Sequence, residues 1–148
     1  MASLQEYELH LLSKISESRK QELIDRAGRA KKRVVFHNGV SDHEYHEILS
    51  KAFALVSASR DEGFGIPVVE AMEQGTPVIV SDIEIFREIG GNAASYFDPA
   101  KPGELADRIR ALEVQEAWQS ASQLCKAQSA QFNWENSADA LLRELTNL

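Results

Sequence analysis

Apolar residues recur along this chain in two rhythms, and their alternation predicts the elements. Leu4, Leu9, Leu11, Leu12, Ile15, Leu23 and Ile24 fall at loosely helical spacing, so one helix is expected over about Leu4–Ala27. Gly28 and the basic run Arg29–Arg33 read as its end. Arg33–His37 is a short buried strand closed by the turn pair Asn38-Gly39. Ser41 stands three residues before Glu44, a capping box opening a helix to about Lys51 with Tyr45, Ile48 and Leu49 inward. Phe53–Ser57 is a second strand. A helix at Pro67–Gln74, a strand at Pro77–Val80, a short helix at Glu84–Ile89 and a strand at Ala94–Phe97 follow. Helices at about Pro102–Leu112, Val114–Ala130 and Trp134–Leu145 complete the pattern.

Strands that are apolar throughout, alternating with helices, predict an α/β fold: a Rossmann-like parallel sheet flanked by helices. Ligands of such sheets bind outside the carboxyl ends of the strands. No repeat, low-complexity stretch or internal linker interrupts the pattern. A single partial domain over residues 1–148 is expected, with an N-terminal helical segment (1–29), a β/α core (30–100) and C-terminal helices (101–148).

The composition narrows the classes. The 148 residues carry 43% hydrophobic and 26% charged positions, ordinary for a globular domain with a real core. A net charge of −7 argues against nucleic acid as a main partner. The single cysteine, Cys125, allows no internal disulfide, fits a reducing compartment, and reads as inert helix core. The charged N-terminus does not resemble a signal peptide, and every apolar run falls far short of the roughly 20 residues of a membrane span. A cytoplasmic protein without an integral membrane segment is expected.

One stretch carries the chemistry: Glu62-Gly63-Phe64-Gly65-Ile66-Pro67-Val68-Val69-Glu70, running on through Gly75-Thr76-Pro77 to Val80. A glycine-rich loop feeding a helix N-terminus offers unpaired N–H groups and a positive dipole end, which suits a phosphate. Pro67 fits the first helical turn, and Gly63 and Gly65 permit close approach or positive φ. Glu62 and Glu70 do not serve a phosphate, but they can accept hydrogen bonds from sugar hydroxyls, so the combination points to a nucleotide-sugar site. Without their flanks the two glutamates read as a loop carboxylate and a solvated helix residue. Their spacing alone does not decide.

The flanks do. The run Glu62–Asp82 closely resembles the E-x7-E phrase of the C-terminal domain of retaining glycosyltransferases of the GT-B fold (glycosyl transferases group 1). The resemblance extends upstream to Arg33–Phe36 and Gly39-Val40-Ser41. Downstream it takes in Arg87-Glu88-Ile89, Gly91–Ala94, Phe97-Asp98-Pro99 and Phe132-Asn133-Trp134, so it covers about residues 30–145. It implies that Glu62 lies against the donor sugar as the catalytic carboxylate and that Glu70 holds the nucleotide ribose. It further implies that Gly63, Phe64, Gly65 and Ile66 present N–H groups to the diphosphate and sugar, and that Asn38–Ser41, with Gly39, Val40 and Ser41, line the base pocket. The implied reaction moves a hexosyl group from a nucleoside diphosphate sugar with retention, needing no cofactor and no metal. No D-x-D, His/Cys cluster or H-E-x-x-H stands in the sequence.

Other features weigh less. His37, His43 and His46 cluster in sequence, but a solvated face explains them better than a metal pair. Trp118 and Trp134 are expected to pack the C-terminal helices, and Ser81-Asp82 to cap the following helix.

The resemblance also marks what is missing. Family members add an N-terminal acceptor-binding domain, and their C-terminal domain opens with a strand–helix–strand unit whose Arg and Lys neutralise the diphosphate. Met1–Ala27 shows no such pair, and Lys14, Arg19 and Lys20 are expected within the amphipathic first helix. Losing charge-assisted contacts costs about 1.5–3 kcal/mol each, so the isolated chain is expected to be weakly active or inactive. A bare sheet edge is expected to favour a homo-oligomer or a partner chain supplying the acceptor-binding half. Family members often act on lipid acceptors, which would place the protein peripherally at the inner face of a membrane. The alternative is a non-catalytic nucleotide-binding or interaction module derived from a glycosyltransferase.

Overall fold

A computed structural model describes residues 7–146. The chain forms two compact units, residues 1–47 and 48–148, each with its own parallel sheet.

In the first unit, β1 (Leu9–Leu12) leads to α1 (Glu17–Ala27), a 3-10 segment over Gly28–Arg33, and β2 (Val34–His37). β1 and β2 pair in parallel, Leu9 opposite Val34 through Leu12 opposite His37. The single helix expected over Leu4–Ala27 is therefore corrected: its first part is a strand, and Leu4 lies outside the described residues. The reason is local and then non-local. Ser13–Ser16 breaks the helix, and Ser16 starts α1 afresh by accepting the Arg19 N–H at 3.2 Å. The leucines ahead of that break then gain a ladder with β2 that no helical spacing reveals. Gly28 ends α1 as expected: at φ 52° its N–H donates to the carbonyls of Ile24 and Asp25. The Lys20 ammonium lies 5.7 Å from the ring centroid of Phe36, the α1 face of β2.

α2 (Asp42–Lys51) opens with the predicted capping box. The Ser41 N–H and hydroxyl donate to the Glu44 carboxylate at 2.9 and 2.7 Å, while the Ser41 oxygen accepts the Glu44 N–H at 3.3 Å.

The second unit holds β3 (Leu55–Ser57), α3 (Ile66–Gln74), β4 (Val78–Ser81), α4 (Glu84–Gly90) and β5 (Ser95–Phe97), then α5 (Pro102–Ala111), α6 (Gln115–Ser129) and α7 (Trp134–Thr146). Its sheet runs β3-β4-β5, all parallel. The expected parallel α/β character holds, with the strands divided between two sheets.

β4 is buried along its whole length, as an unbroken apolar strand in the middle of a covered sheet should be. Ile79, Phe97 and Leu112 form a core cluster against Phe53, Leu105, Ile109 and Trp118. The Trp118 indole N–H donates to the Phe53 carbonyl at 2.8 Å, so this tryptophan packs the C-terminal helices as expected. The Trp134 side chain lies outside the described ones. Cys125 is fully buried with its thiol 3.7 Å from the Ala93 carbonyl, and burial pushes its pKa up.

α3 is bounded by glycine at each end. Gly75, at φ 76°, returns its N–H to the Met72 carbonyl, and the buried Thr76 hydroxyl donates to the Leu49 carbonyl at 2.7 Å. Thr76→Val should therefore cost about 0.5–1.5 kcal/mol, because it removes one of two hydrogen bonds to the Leu49 carbonyl, which keeps the Ala52 N–H at 3.1 Å, at nearly constant side-chain volume. Urea denaturation of the two proteins measures it.

Candidate donor site

The loop from β3 to α3 follows from three local choices. Ser57 and Ser59 follow the apolar run, and the Ser59 hydroxyl donates to the Glu62 carboxylate at 2.7 Å, fixing the start of the turn. Gly65 then takes φ 91°, a left-handed conformation favouring glycine. It is also buried: a Cβ there would stand 2.9 Å from Phe86 and 3.0 Å from Ile89, both on α4. Finally Pro67 occupies the first turn of α3, where its missing N–H costs nothing. The Gly65 carbonyl accepts from the Val68 N–H at 2.9 Å and begins the helix.

These choices set the sequence-predicted residues in place. Glu62 and Gly63 are exposed at the tip of the loop. Phe64 is 44% exposed and rests edge-on against Phe132, centroids 6.0 Å apart, just past the end of α6. Ile66 opens α3 at 61% exposure. Glu70 is half-buried one turn further on. The helix start carries the positive end of its dipole and lies between the two glutamates in sequence, with the Val68 N–H spent on the Gly65 carbonyl and Pro67 offering none. Such an arrangement can take an anion at the helix end and hydroxyls at its sides.

Gly39, Val40 and Ser41 belong to the first unit, at the carboxyl end of β2. Gly39 has φ 88°. Val40 is half-buried, and the Ser41 hydroxyl is spent on the Glu44 cap. That cap holds the Glu44 carboxyl below its ordinary range.

Sequence reading missed Lys14. The segment was expected to be helix, whereas Lys14 stands in the loop after β1, its Cε 3.5 Å from where a Cβ on Gly39 would lie. The signal available was Ser13 and Ser16, two cap-forming residues flanking Lys14 in the middle of the supposed helix. The histidines also regroup. His37 stacks on His10 of β1 with ring nitrogens 3.0 Å apart, and His46 packs edge-on against Tyr45. Among the described residues no group of three or more His, Cys, Asp or Glu side chains is placed to hold a metal.

Ser81-Asp82 does not cap α4, contrary to expectation. Ile83 takes the N-cap position, the Ser81 hydroxyl reaches the Ser57 carbonyl at 3.4 Å, and Asp82 pairs with both sides of the Arg87 guanidinium. The Arg87 fork suits a carboxylate better than a backbone N–H does. It holds the Asp82 carboxyl below its ordinary value, and Arg87 stacks on Tyr96 with 4.8 Å to the ring centroid. These residues, with Asp98, Lys101, Glu104 and Arg108, line an open polar cleft of about 720 Å³ along β5. None of the sequence-predicted site residues lines it, and its charges pair among themselves: Lys101 with Asp98 and Glu104, and Arg108 with the Tyr96 carbonyl.

A sequence profile of the family described as glycosyl transferases group 1 matches residues 5–130. The chain belongs to this family. Over 91 residues it is 45% identical to the O-antigen chain mannosyltransferase RfbU of Salmonella typhimurium, covering 62% of this chain and 22% of RfbU. Over 118 residues it is 33% identical to the serotype-specific mannosyltransferase WbdA of Escherichia coli, covering 77% of this chain and 14% of WbdA. The fold superposes on sucrose-phosphate synthase from Thermosynechococcus elongatus at TM-score 0.78 and 26% identity, covering 95% of this chain and 39% of that one. It also matches Anabaena HepE, solved with UDP, at TM-score 0.85 and 20% identity over 96% of this chain and 41% of HepE. This group 1 chain thus spans 22% and 14% of the two mannosyltransferases. Among its described residues no helix is long and apolar enough to cross a membrane.

Two expectations follow for this glycosyltransferase segment. Gly65→Ala should destabilise the fold by about 1–3 kcal/mol, combining a strained φ with a Cβ pressed on Phe86 and Ile89. Gly63→Ala, with nothing within 4 Å, should be close to neutral in the same denaturation series. The second concerns pH. The folded Asp82 pKa lies below its ordinary 3.8, so the Arg87 pair contributes stability above that pH and loses it as pH falls through the lower folded value. The stabilities of wild type and Asp82→Asn should converge in that acid window and differ above it, as denaturant titrations at stepped pH would read.

Proposed function

We propose that this chain is the nucleotide-sugar donor-binding part of a retaining hexosyltransferase, with a nucleoside diphosphate mannose as its donor. The observation that supports the reading is the left-handed Gly65 turn, which starts α3 in the run between Glu62 and Glu70. The mannosyltransferase relatives RfbU and WbdA support the choice of sugar.

In this reading the N–H groups of the Gly63–Ile66 backbone, at the dipole end of α3, receive the diphosphate. Glu62, exposed at the loop tip and steadied by Ser59, lies against the donor sugar and its transferring carbon. Glu70 accepts hydrogen bonds from the ribose hydroxyls. The family chemistry uses no metal or other cofactor, so the leaving diphosphate is stabilised by fixed N–H dipoles and side-chain charge. The acceptor is bound by a further domain, a partner chain or a second copy. The chain alone is weakly active or inactive.

The test is calorimetric titration of GDP-, UDP- and ADP-linked mannose and glucose into the wild type and Glu70→Ala. Saturable binding to one base is expected. The variant should bind roughly ten- to a hundredfold more weakly, the equivalent of one charged hydrogen bond worth about 1.5–3 kcal/mol. No binding at millimolar ligand would overturn the donor-site reading and leave a non-catalytic module of glycosyltransferase ancestry.

A further inference from the structure

The first unit is thinly held. None of its described residues, 7–47, is buried, and its sheet has only two strands. So small a sheet is marginal in water, and small units with little core are commonly stapled by a metal or a disulfide.

One pair of side chains on that sheet has the geometry of a staple. Leu12 stands opposite His37 in the β1–β2 ladder, so His10, two residues before Leu12, shares a sheet face with His37. Phe36 lies on the α1 face, so its neighbour His37 and the pair stand on the other one. The two rings stack with centroids 5.1 Å apart and planes at 21°, and His10 Nδ1 lies 3.0 Å from His37 Nε2. With nothing bound, the N–H of one ring donates to the bare nitrogen of the other. Two imidazole nitrogens held about 2.0–2.1 Å from one zinc ion at the tetrahedral angle stand roughly 3.3 Å apart. An ion can therefore take the place of that proton with little movement of either strand. A Glu8 carboxylate oxygen lies 3.6 Å from His10 Nε2 and favours a proton on that outer nitrogen, which leaves the Nδ1 lone pair turned to His37. Carboxylates behind metal-bound imidazoles fix the tautomer in this way. His10 is exposed and His37 half-buried, which gives an ion a way in and water a place beside it.

We infer that His10 and His37 form a two-imidazole site for a divalent transition metal of the zinc class, which clasps β1 to β2. Neutral imidazole pairs select zinc, copper or nickel over magnesium and calcium, which prefer oxygen. Among the described residues no third His, Cys, Asp or Glu completes the set, so water fills the remaining positions and the ion is exchangeable. Glu8 is a positioning residue and not a ligand. A second negative charge lies near His37. The Glu44 carboxyl, lowered chiefly by its hydrogen bonds from Ser41, is lowered further by His43 and His37. The site lies wholly in the first unit and shares no residue with the proposed donor site, so it stands or falls independently of the nucleotide sugar.

The experiment uses the full chain without a histidine tag, and His10→Ala, His37→Ala, the double variant and His43→Ala, each shown by thermal melting to be folded without metal. Zinc chloride is titrated by calorimetry, with magnesium chloride as control, and amide hydrogen exchange is followed with and without zinc. One zinc ion should bind per chain and magnesium should not. His10→Ala and His37→Ala should each weaken zinc at least tenfold, the double variant little further because the two rings share one ion, and His43→Ala should bind as wild type does. Zinc should slow exchange in Leu9–Leu12 and Val34–His37 of the wild type and in neither single variant. Should an alanine variant not fold, the imidazole NMR signals of the wild type decide: zinc must move those of His10 and His37 and leave that of His43. Equal zinc binding by wild type and both single variants overturns the site, as does the absence of saturable binding at millimolar zinc. Binding that depends on both histidines but leaves strand exchange unchanged overturns the clasp.

Discussion

The Gly65 turn is the constraint on which the second unit depends. A backbone at φ 91° pressed against Phe86 and Ile89 leaves no room for a side chain, and it fixes the direction in which α3 departs from β3. Everything downstream inherits that direction. Val68, Ala71 and Met72 turn their side chains into the core, Gly75 closes the helix at a second positive φ, and β4 enters the centre of the sheet fully buried. With those three apolar side chains buried, the polar residues between them have no choice of face. Glu70 is carried half-out of the core, and Glu62 is left at the loop tip. The same packing that folds this segment therefore fixes the start of α3, which cannot fray without giving up the buried Val68.

The mount beneath this turn comes from α6. The helix packs against α3, the Gln128 side chain donates to the Ile89 carbonyl at 3.0 Å, and the buried Cys125 faces the Ala93 carbonyl. Phe132, just beyond α6, then meets Phe64 edge-on. The one bulky side chain of the glycine loop thus leans on the far end of a helix tied to α4. Edge-to-face ring pairs contribute about 0.5–1.5 kcal/mol beyond their buried area, enough to favour one loop position without locking it.

The segment Glu62–Asp82 was legible because its information is local. Glycines at both ends of a short helix and a proline in its first turn mark boundaries that no tertiary contact needs to supply. The capping box at Ser41 and Glu44 was readable for the same reason. The N-terminal region was not. Leu9, Leu11 and Leu12 suit a helix face as well as a strand, and the ladder to Val34–His37 that decides the matter joins residues about 25 positions apart. Asp82 failed differently: a local rule favoured a cap, but Arg87 offered a two-pronged, charge-assisted partner that a single N–H cannot match. The place of Lys14 in a loop was lost with the strand, because the same ladder that makes β1 also ends it before Lys14.

Charge bears on the site most where it is already spent. In the second unit Arg87 is held by Asp82, Lys101 by Asp98 and Glu104, Arg110 by Asp107, and Arg108 by the Tyr96 carbonyl. Arg60, two residues before Glu62, lies close enough to Asp98 to help lower its carboxyl pKa. Recruiting any of these to a phosphate would break or weaken an existing interaction, and the pairs are exposed enough that each contributes little on its own. Two glutamates in the loop and first turns of α3, in a chain at −7 overall, repel anions at long range, so any anion held there would depend on groups placed close to it. Anion binding by a segment of this composition should therefore be strongly sensitive to ionic strength, and far less sensitive to the many paired charges that dominate its surface.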